Sequence, residues 1–300
     1  MWRPLFRCPR CQRAMAAGQS GATCEGCGVV FEERAGILRF MTADRIAKGE
    51  PFQRQYQIVR ERDGYRTGTP EYYRMLPIVP RGDPRAEEWR IRRESYAHLQ
   101  QHVLPAVWQE PIRILDLGAG NGWLSHRLAA FGHQVVAVDL LDDELDGLGA
   151  CRHYPVTVIP VQADFDALPL QPAQFDVVVL NGALHYAPDP AATLRSGTRA
   201  LAKGGTLVVM DSPMFRRERD GQAMVERQLR AIAMRHNLPD VVRPGVGFLT
   251  YDALDRVARE LGLSSTFIPS KGPAAWRWRR RASWLRLRRA PAAFGVWMAR

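Results

Sequence analysis

Three carboxylates, three glycines and four cysteines carry the chemistry legible in this chain. Asp116 stands just before Gly118, Gly120 and Gly122; Asp139 closes one apolar run, and Asp164 with Phe165 follows another. Glycines at this spacing let the chain turn sharply and lay bare backbone against a ligand. An acid at a strand end accepts hydrogen bonds from both hydroxyls of a ribose, and a second one suits an exocyclic amine. Cys8-Pro-Arg-Cys11 and Cys24-Glu-Gly-Cys27 are two Cys-x-x-Cys pairs separated by 12 residues. Each pair offers two thiolates from one tight knuckle, and together they complete a four-cysteine zinc site with no open position for chemistry. Such an ion holds a fold; redox motifs or disulfides are the alternative use of these residues. His185 and Tyr186 are placed to take a proton, although His185 serves equally well as a structural histidine.

The elements that must position these residues alternate between strand and helix. Ile112 to Leu117 has the length of a short buried parallel strand, and Trp123 to Phe131 reads as the helix after the glycine turn. Gln134 to Leu140, Val156 to Gln162, Phe175 to Leu180 and Gly205 to Asp211 supply four further strands, with a helix over Pro190 to Leu201. This pattern predicts a doubly wound sheet that binds its ligand outside the carboxyl ends of the strands. A dinucleotide fingerprint starting at Gly118 needs glycine at position 123, where this chain has Trp123. A nicotinamide oxidoreductase is therefore disfavoured.

Asp116-Leu-Gly-Ala-Gly-Asn-Gly122 resembles the first motif of class I S-adenosylmethionine-dependent methyltransferases, and residues 112 to 211 resemble the type 11-like members strand by strand. The resemblance implies a seven-stranded Rossmann-like α/β sheet. It also implies a cofactor site of Asp116, Gly118, Ala119, Gly120, Gly122, Asp139, Leu140, Asp164, Phe165, Asn181 and Gly182, with His185 and Tyr186 as candidate catalytic residues. The stretch 5 to 41 resembles the zinc ribbon of small methyltransferase-activator proteins, which implies structural zinc on Cys8, Cys11, Cys24 and Cys27.

The expected organisation is a zinc ribbon over 1–41, a linker or lid over 42–85, and a methyltransferase domain over 86–300. The middle segment holds many breakers, Pro51 and Gly64 among them, and reads as short helical pieces; its aromatics, including Phe52, Tyr56 and Tyr65, are numerous for a plain linker. Glu87 to Leu104 should cover the sheet ahead of its first strand, and Arg217 to Asn237 should form a helix with Met224 and Met234 on or near one face. In the resembling fold an insertion at that place usually builds the acceptor pocket. No window is apolar for 18 residues, and the opening residues lack an apolar signal core, so a cytoplasmic, reducing setting is expected.

The net charge of +11 is local: nine basic residues and no acid lie from Lys271 onward. Most fall in 271–291, interleaved with Trp276, Trp278 and Trp284 between the expected sixth and seventh strands. Arginine with tryptophan suits RNA, an anionic membrane surface, a protein contact or plain solvent. The resemblance leaves the acceptor open. Asn181-Gly-Ala-Leu184 lacks the Pro-Pro pair of amino-directed nucleic-acid enzymes, whereas Leu184-His-Tyr-Ala-Pro-Asp189 resembles small-molecule and quinone-type methyltransferases. A small-molecule or lipidic acceptor is the first expectation; a ribosomal RNA guanine-type enzyme or an inactive cofactor-binding scaffold is the alternative.

Overall fold

Five short strands come first: β1 (Phe6–Arg7), β2 (Ala14–Met15), β3 (Gly21–Thr23), β4 (Val30–Arg34) and β5 (Ile37–Arg39). Then follow α1 (Ala43–Arg62), α2 (Pro70–Met75) and α3 (Ala86–His98), the last continued by a π-helical turn over Leu99–Val103. The alternating part runs β6 (Arg113–Leu117), α4 (Trp123–Ala130), β7 (Gln134–Asp139), β8 (Ile159–Gln162), β9 (Phe175–Asn181), α5 (Pro190–Ala200) and β10 (Leu201–Met210). β11 (Met214–Phe215), α6 (Glu218–His236) and β12 (Leu249–Thr250) interrupt it before α7 (Tyr251–Glu260), β13 (Ser265–Ser270) and β14 (Phe294–Ala299). The computed structural model describes residues 2–15, 21–66, 68–104, 110–274, 277–278, 282, 284 and 289–300. Trp276 and much of the arginine-rich stretch expected at 271–291 therefore lie outside the described residues.

The seven expected strands are all present, in the order β13-β14-β10-β9-β6-β7-β8, with β14 antiparallel to both neighbours. The sheet does not stop there. β5 pairs parallel with β8, Leu38 opposite Val161 and Arg39 opposite Gln162, and β4 and β3 extend the sheet to ten strands. Without β5, β8 would present a row of unpaired backbone groups at the sheet edge. The cysteine-bearing segment shares the core as well: Phe6, Phe31 and Phe40 are buried with Val161 and Leu170, and the Phe6 and Phe40 rings stack with centroids 4.9 Å apart.

Alternation along each strand feeds two apolar layers. Leu115, Leu117, Val136, Val138, Leu207 and Val209 face one side of the sheet, and Ile114, Val135, Val179, Val208 and Met210 face the other, where α4 packs with Trp123 and Leu124. Because β5 runs parallel to β8, it delivers the chain to the carboxyl-end rim of the sheet. α1 then starts at that rim and crosses it.

The segment between 42 and 85 differs from its expectation. In place of short pieces, α1 runs for 20 residues with Pro51 inside it and buries none of its side chains fully. Polar contacts hold it. Arg60 donates to both oxygens of Asp146, Arg45 pairs with Asp164 at 2.7 Å, Arg62 donates to the His236 carbonyl at 2.6 Å, and Gln55 binds the backbone of Asp240 and Val242. A helix without an apolar stripe cannot be read from periodicity, since its partners fix it.

Candidate functional site

A cavity of about 470 Å³ opens at the carboxyl ends of β6, β7, β9 and β10, with α1, α3 and the segment after α6 around it. The glycine loop forms its floor. Gly118 has φ +76°, and a Cβ there would lie 2.3 Å from the Ala183 Cβ, so only glycine fits. Gly120 has φ +55°, and a Cβ there would meet nothing within 4 Å, so the backbone faces open space. The amides of Gly118 and Ala119 both donate to the Val138 carbonyl, which locks the loop onto β7.

Asp139 joins the loop to the next segment. Its Oδ2 accepts from the Gly120 amide and its Oδ1 from the Leu141 amide, each at 2.8 Å. Burial dominates these bonds and pushes its pKa up to about 6, with Asp146 adding to the rise. Asp164 accepts from the Asp166 amide and from Arg45, so an arginine of α1 already stands on the acid expected to meet an amine. Ala119, Leu140, Phe165, Asn181 and Gly182 line the same cavity, and the Asn181 Oδ1 is buried without a hydrogen-bond partner.

Two expected site residues do not reach this wall. Strand parity turns Asp116 toward α4, where its Oδ2 accepts from the Ser125 hydroxyl at 2.7 Å. Complete burial pushes its pKa up to about 7. Gly122 opens α4 at φ +72°, and a Cβ there would strike the Cys151 sulfur at 2.6 Å. Both residues brace the loop from beneath.

His185 and Tyr186 do line the cavity. The His185 Nδ1 is 3.1 Å from the Ser212 hydroxyl. Burial, with Arg243 and Arg92 nearby, pulls its pKa down to about 3, which leaves a neutral imidazole at physiological pH. The Tyr186 ring packs against Phe52 and Tyr56 of α1, both at 6.0 Å between centroids.

Sequence reasoning missed a second group of wall residues. Asp211 follows β10 directly with φ +54°; its Oδ1 accepts from Ser95 at 2.5 Å, its Oδ2 is buried without a partner, and burial pushes its pKa up to about 6. A signal for it existed, because it ends its strand as Asp139 ends β7. Of the others only Tyr65 had one, as an aromatic of the candidate lid. Arg60 and Arg85 flank the Tyr65 ring at 3.4 and 4.2 Å, Tyr65 donates to Glu88 at 2.8 Å, and Glu88 pairs with Arg92. These residues come from separate segments with no common spacing.

Away from the cavity, the ligand atoms of Cys8, Cys11, Cys24 and Cys27 all lie within 4.8 Å of one another. Cys11 and Cys24 are 3.4 Å apart and Cys8 and Cys27 3.7 Å, too far for the roughly 2.05 Å of a disulfide.

Residues 115–209 match the family model described as a methyltransferase domain. This stretch is a methyltransferase domain. Among similar proteins, the ubiquinone biosynthesis O-methyltransferase of Xanthomonas campestris pv. campestris (strain B100) is 36% identical over 97 residues, which cover 32% of this chain and 41% of that protein. The protein of the same name from Xylella fastidiosa (strain M23) is 37% identical over 102 residues, covering 32% and 40%. The chain thus spans about two fifths of the length of these relatives. A solved structure of the complex between the Haloferax volcanii Trm112 methyltransferase activator and a methyltransferase covers 72% of this chain and 90% of its own, at 21% identity and a TM-score of 0.50, a likeness of fold. The methyltransferase domain contributes the glycine loop, Asp139, Asp164, Asn181 and His185, while α1, α3, Asp211 and the segment after β10 lie outside the match. Among the described residues no helix is long and apolar enough to cross a membrane.

Proposed function

We propose that this protein transfers a methyl group from S-adenosylmethionine to a small-molecule or lipidic acceptor. The observation that carries this reading is the pairing of Gly120, whose outer face meets open space, with the half-buried carboxylate of Asp139 on one wall of the cavity. In this reading Asp139 accepts from the ribose hydroxyls, Leu140, Asp164 and Phe165 enclose the adenine, and the glycine loop with Asn181 and Gly182 holds the aminoacyl half. The unpartnered oxygens of Asn181 and Asp211 suit the donors of such a ligand. Asp116 acts at one remove, by fixing α4 through Ser125.

When bound, the cofactor supplies a methyl group on a sulfonium, so the chain has mainly to align the acceptor and exclude water. α1 closes the rim, which supports its reading as a lid. His185, neutral and anchored by Ser212, takes a hydrogen bond from the acceptor hydroxyl and, too weak a base to hold its proton at neutral pH, passes that proton to solvent as the oxygen gains the methyl. The names of the relatives favour a hydroxyl acceptor. The four cysteines fit structural zinc, because sulfurs at about 2.3 Å from one tetrahedral ion stand roughly 3.8 Å apart.

The test is transfer of labelled methyl from S-adenosylmethionine into cell extract sorted into RNA, protein, lipid and small molecules, with Asp139→Ala as control. Label in the lipid or small-molecule fraction that Asp139→Ala removes supports the reading. Label in RNA would replace the acceptor class, and label nowhere would favour a scaffold.

A further inference from the structure

Five arginines line the cavity, and four are accounted for. Arg45 pairs with Asp164, Arg60 with Asp146 and Arg92 with Glu88, while Arg85 donates to the Gly64 carbonyl and the Tyr72 hydroxyl. Arg243 makes no ion pair among the described residues, and the residues outside that description include no aspartate or glutamate. Its Nη1 is buried without a hydrogen-bond partner. A guanidinium nitrogen withdrawn from water without an acceptor is costly, and that cost is recovered when an anion meets it.

The fold holds Arg243 in this position. The Gly247 amide donates to the His185 carbonyl at 3.0 Å, and Gly245 lies so close to the backbone after β9 that a Cβ would be 2.5 Å from the Ala187 carbonyl oxygen. Gly247 has φ +80°, and a Cβ on it would stand 2.1 Å from the Arg243 Nη1, so glycine leaves the space that the guanidinium fills. The segment 243–247 is thereby clamped at the β9 end. β6 separates β9 from β7, whose end carries Asp139, so this cation stands apart from the ribose-type acid. Beside it, Phe52, Tyr56 and Tyr186 make a wall of rings suited to a flat or apolar body.

We propose that Arg243 receives the carboxylate of the methyl acceptor, which makes the acceptor a carboxylic acid with a flat or apolar body. This rests on the methyltransferase reading, and the experiment keeps the two separable. S-adenosylhomocysteine binding is measured first by calorimetry, on wild type, Arg243→Gln and Gly247→Ala. Benzoate, 4-hydroxybenzoate and octanoate, each beside its own amide, are then titrated into the loaded and the bare forms of all three proteins.

The expected result is that wild type prefers at least one acid to its amide by about tenfold, the scale of one charge-assisted contact. Arg243→Gln should bring acid and amide within about twofold, and Gly247→Ala, which keeps the charge but displaces it, should do the same. Both variants should hold S-adenosylhomocysteine about as tightly as wild type. Amides bound as well as acids, a preference that survives Arg243→Gln, or no binding of any acid would each overturn the proposal. So would a loss of S-adenosylhomocysteine affinity in Arg243→Gln with 5′-methylthioadenosine affinity unchanged, because the arginine would then read the cofactor carboxylate. If S-adenosylhomocysteine binds none of the proteins, the methyltransferase reading fails, and the titrations of bare protein still decide whether Arg243 selects acids.

Discussion

At the β6 and β7 end of the cavity, the loop 118–122, Asp139 and Leu141 are fixed by bonds to near neighbours. Gly118 and Ala119 donate to Val138, and Gly120 and Leu141 donate to Asp139. At the β9 and β10 end the walls come from α1, α3, Asp211 and the segment at 243–247, and the bonds join distant residues, Ser95 to Asp211 and Gly247 to His185, while α1 reaches back through Arg60 to Asp146 after β7. The first end is made by backbone geometry, so its shape tolerates little change. The second is made by side chains reaching across the rim, and it can be rebuilt for another acceptor without disturbing the first. The matched family region, 115–209, contains the first end and stops short of Asp211.

The largest expected effect breaks the rigid end. Gly118→Val adds branched carbon where φ is +76° and Ala183 is already in contact, and it should weaken S-adenosylhomocysteine binding by at least about a hundredfold by calorimetry. Near-native affinity would mean that the loop is pliable and the contrast is false.

Next come the side chains that tie α1 across the rim. Arg60→Met leaves Asp146, whose side chain is 6% exposed, without its guanidinium. Stranding a buried charge costs about 3 kcal/mol, so the calorimetric melting point should fall by several degrees. An unchanged melting point would show that α1 is not held through this pair.

Asp139→Ala is a smaller change at the rigid end. Hydrogen bonds to a charged group contribute about 1.5–3 kcal/mol, so cofactor affinity should fall roughly ten- to a hundredfold. Unaltered affinity would remove Asp139 from the site.

The smallest effect is one of pH. The folded protein raises Asp139 from 3.8 to about 6, so it holds a proton through that window which the unfolded chain has released. With Asp116 raised to about 7, these two acids stabilise the ligand-free fold most below pH 3.8, and that contribution is lost as pH rises through 6 and 7. Ribose hydroxyls prefer the ionised carboxylate, so cofactor affinity should drop severalfold from pH 7.5 to pH 5.5, and Asp139→Asn should flatten the profile. A wild-type profile that is already flat would show that Asp139 does not meet the hydroxyls.

The same contrast explains what the sequence could tell. The strand, glycine turn and helix around 112–131 are local signals, and each strand expected between 112 and 211 formed within a few residues of its expected bounds. Asp116 was legible as an acid beside the loop, but its direction depends on strand parity, which turns it toward Ser125. Asp211 was legible and overlooked. Tyr65 was legible only as one of the aromatics too numerous for a plain linker, and Arg243 and Arg92 carry no local mark, because their meaning arises only when distant segments meet. α1 was hidden by Pro51 and by the lack of an apolar stripe. The joining of β5 to β8 was hidden for the same reason as the arginines: a parallel pairing across the chain leaves no periodic trace.

That pairing orders events during synthesis. Leu38 leaves the ribosome on the order of ten seconds before Val161, its partner across the parallel ladder, at ordinary elongation rates. All four cysteines lie within Cys8–Cys27, so this segment and β5 are complete well before β8 is made. Residues made earlier thus offer a backbone edge to the last parallel strand on that side of the sheet.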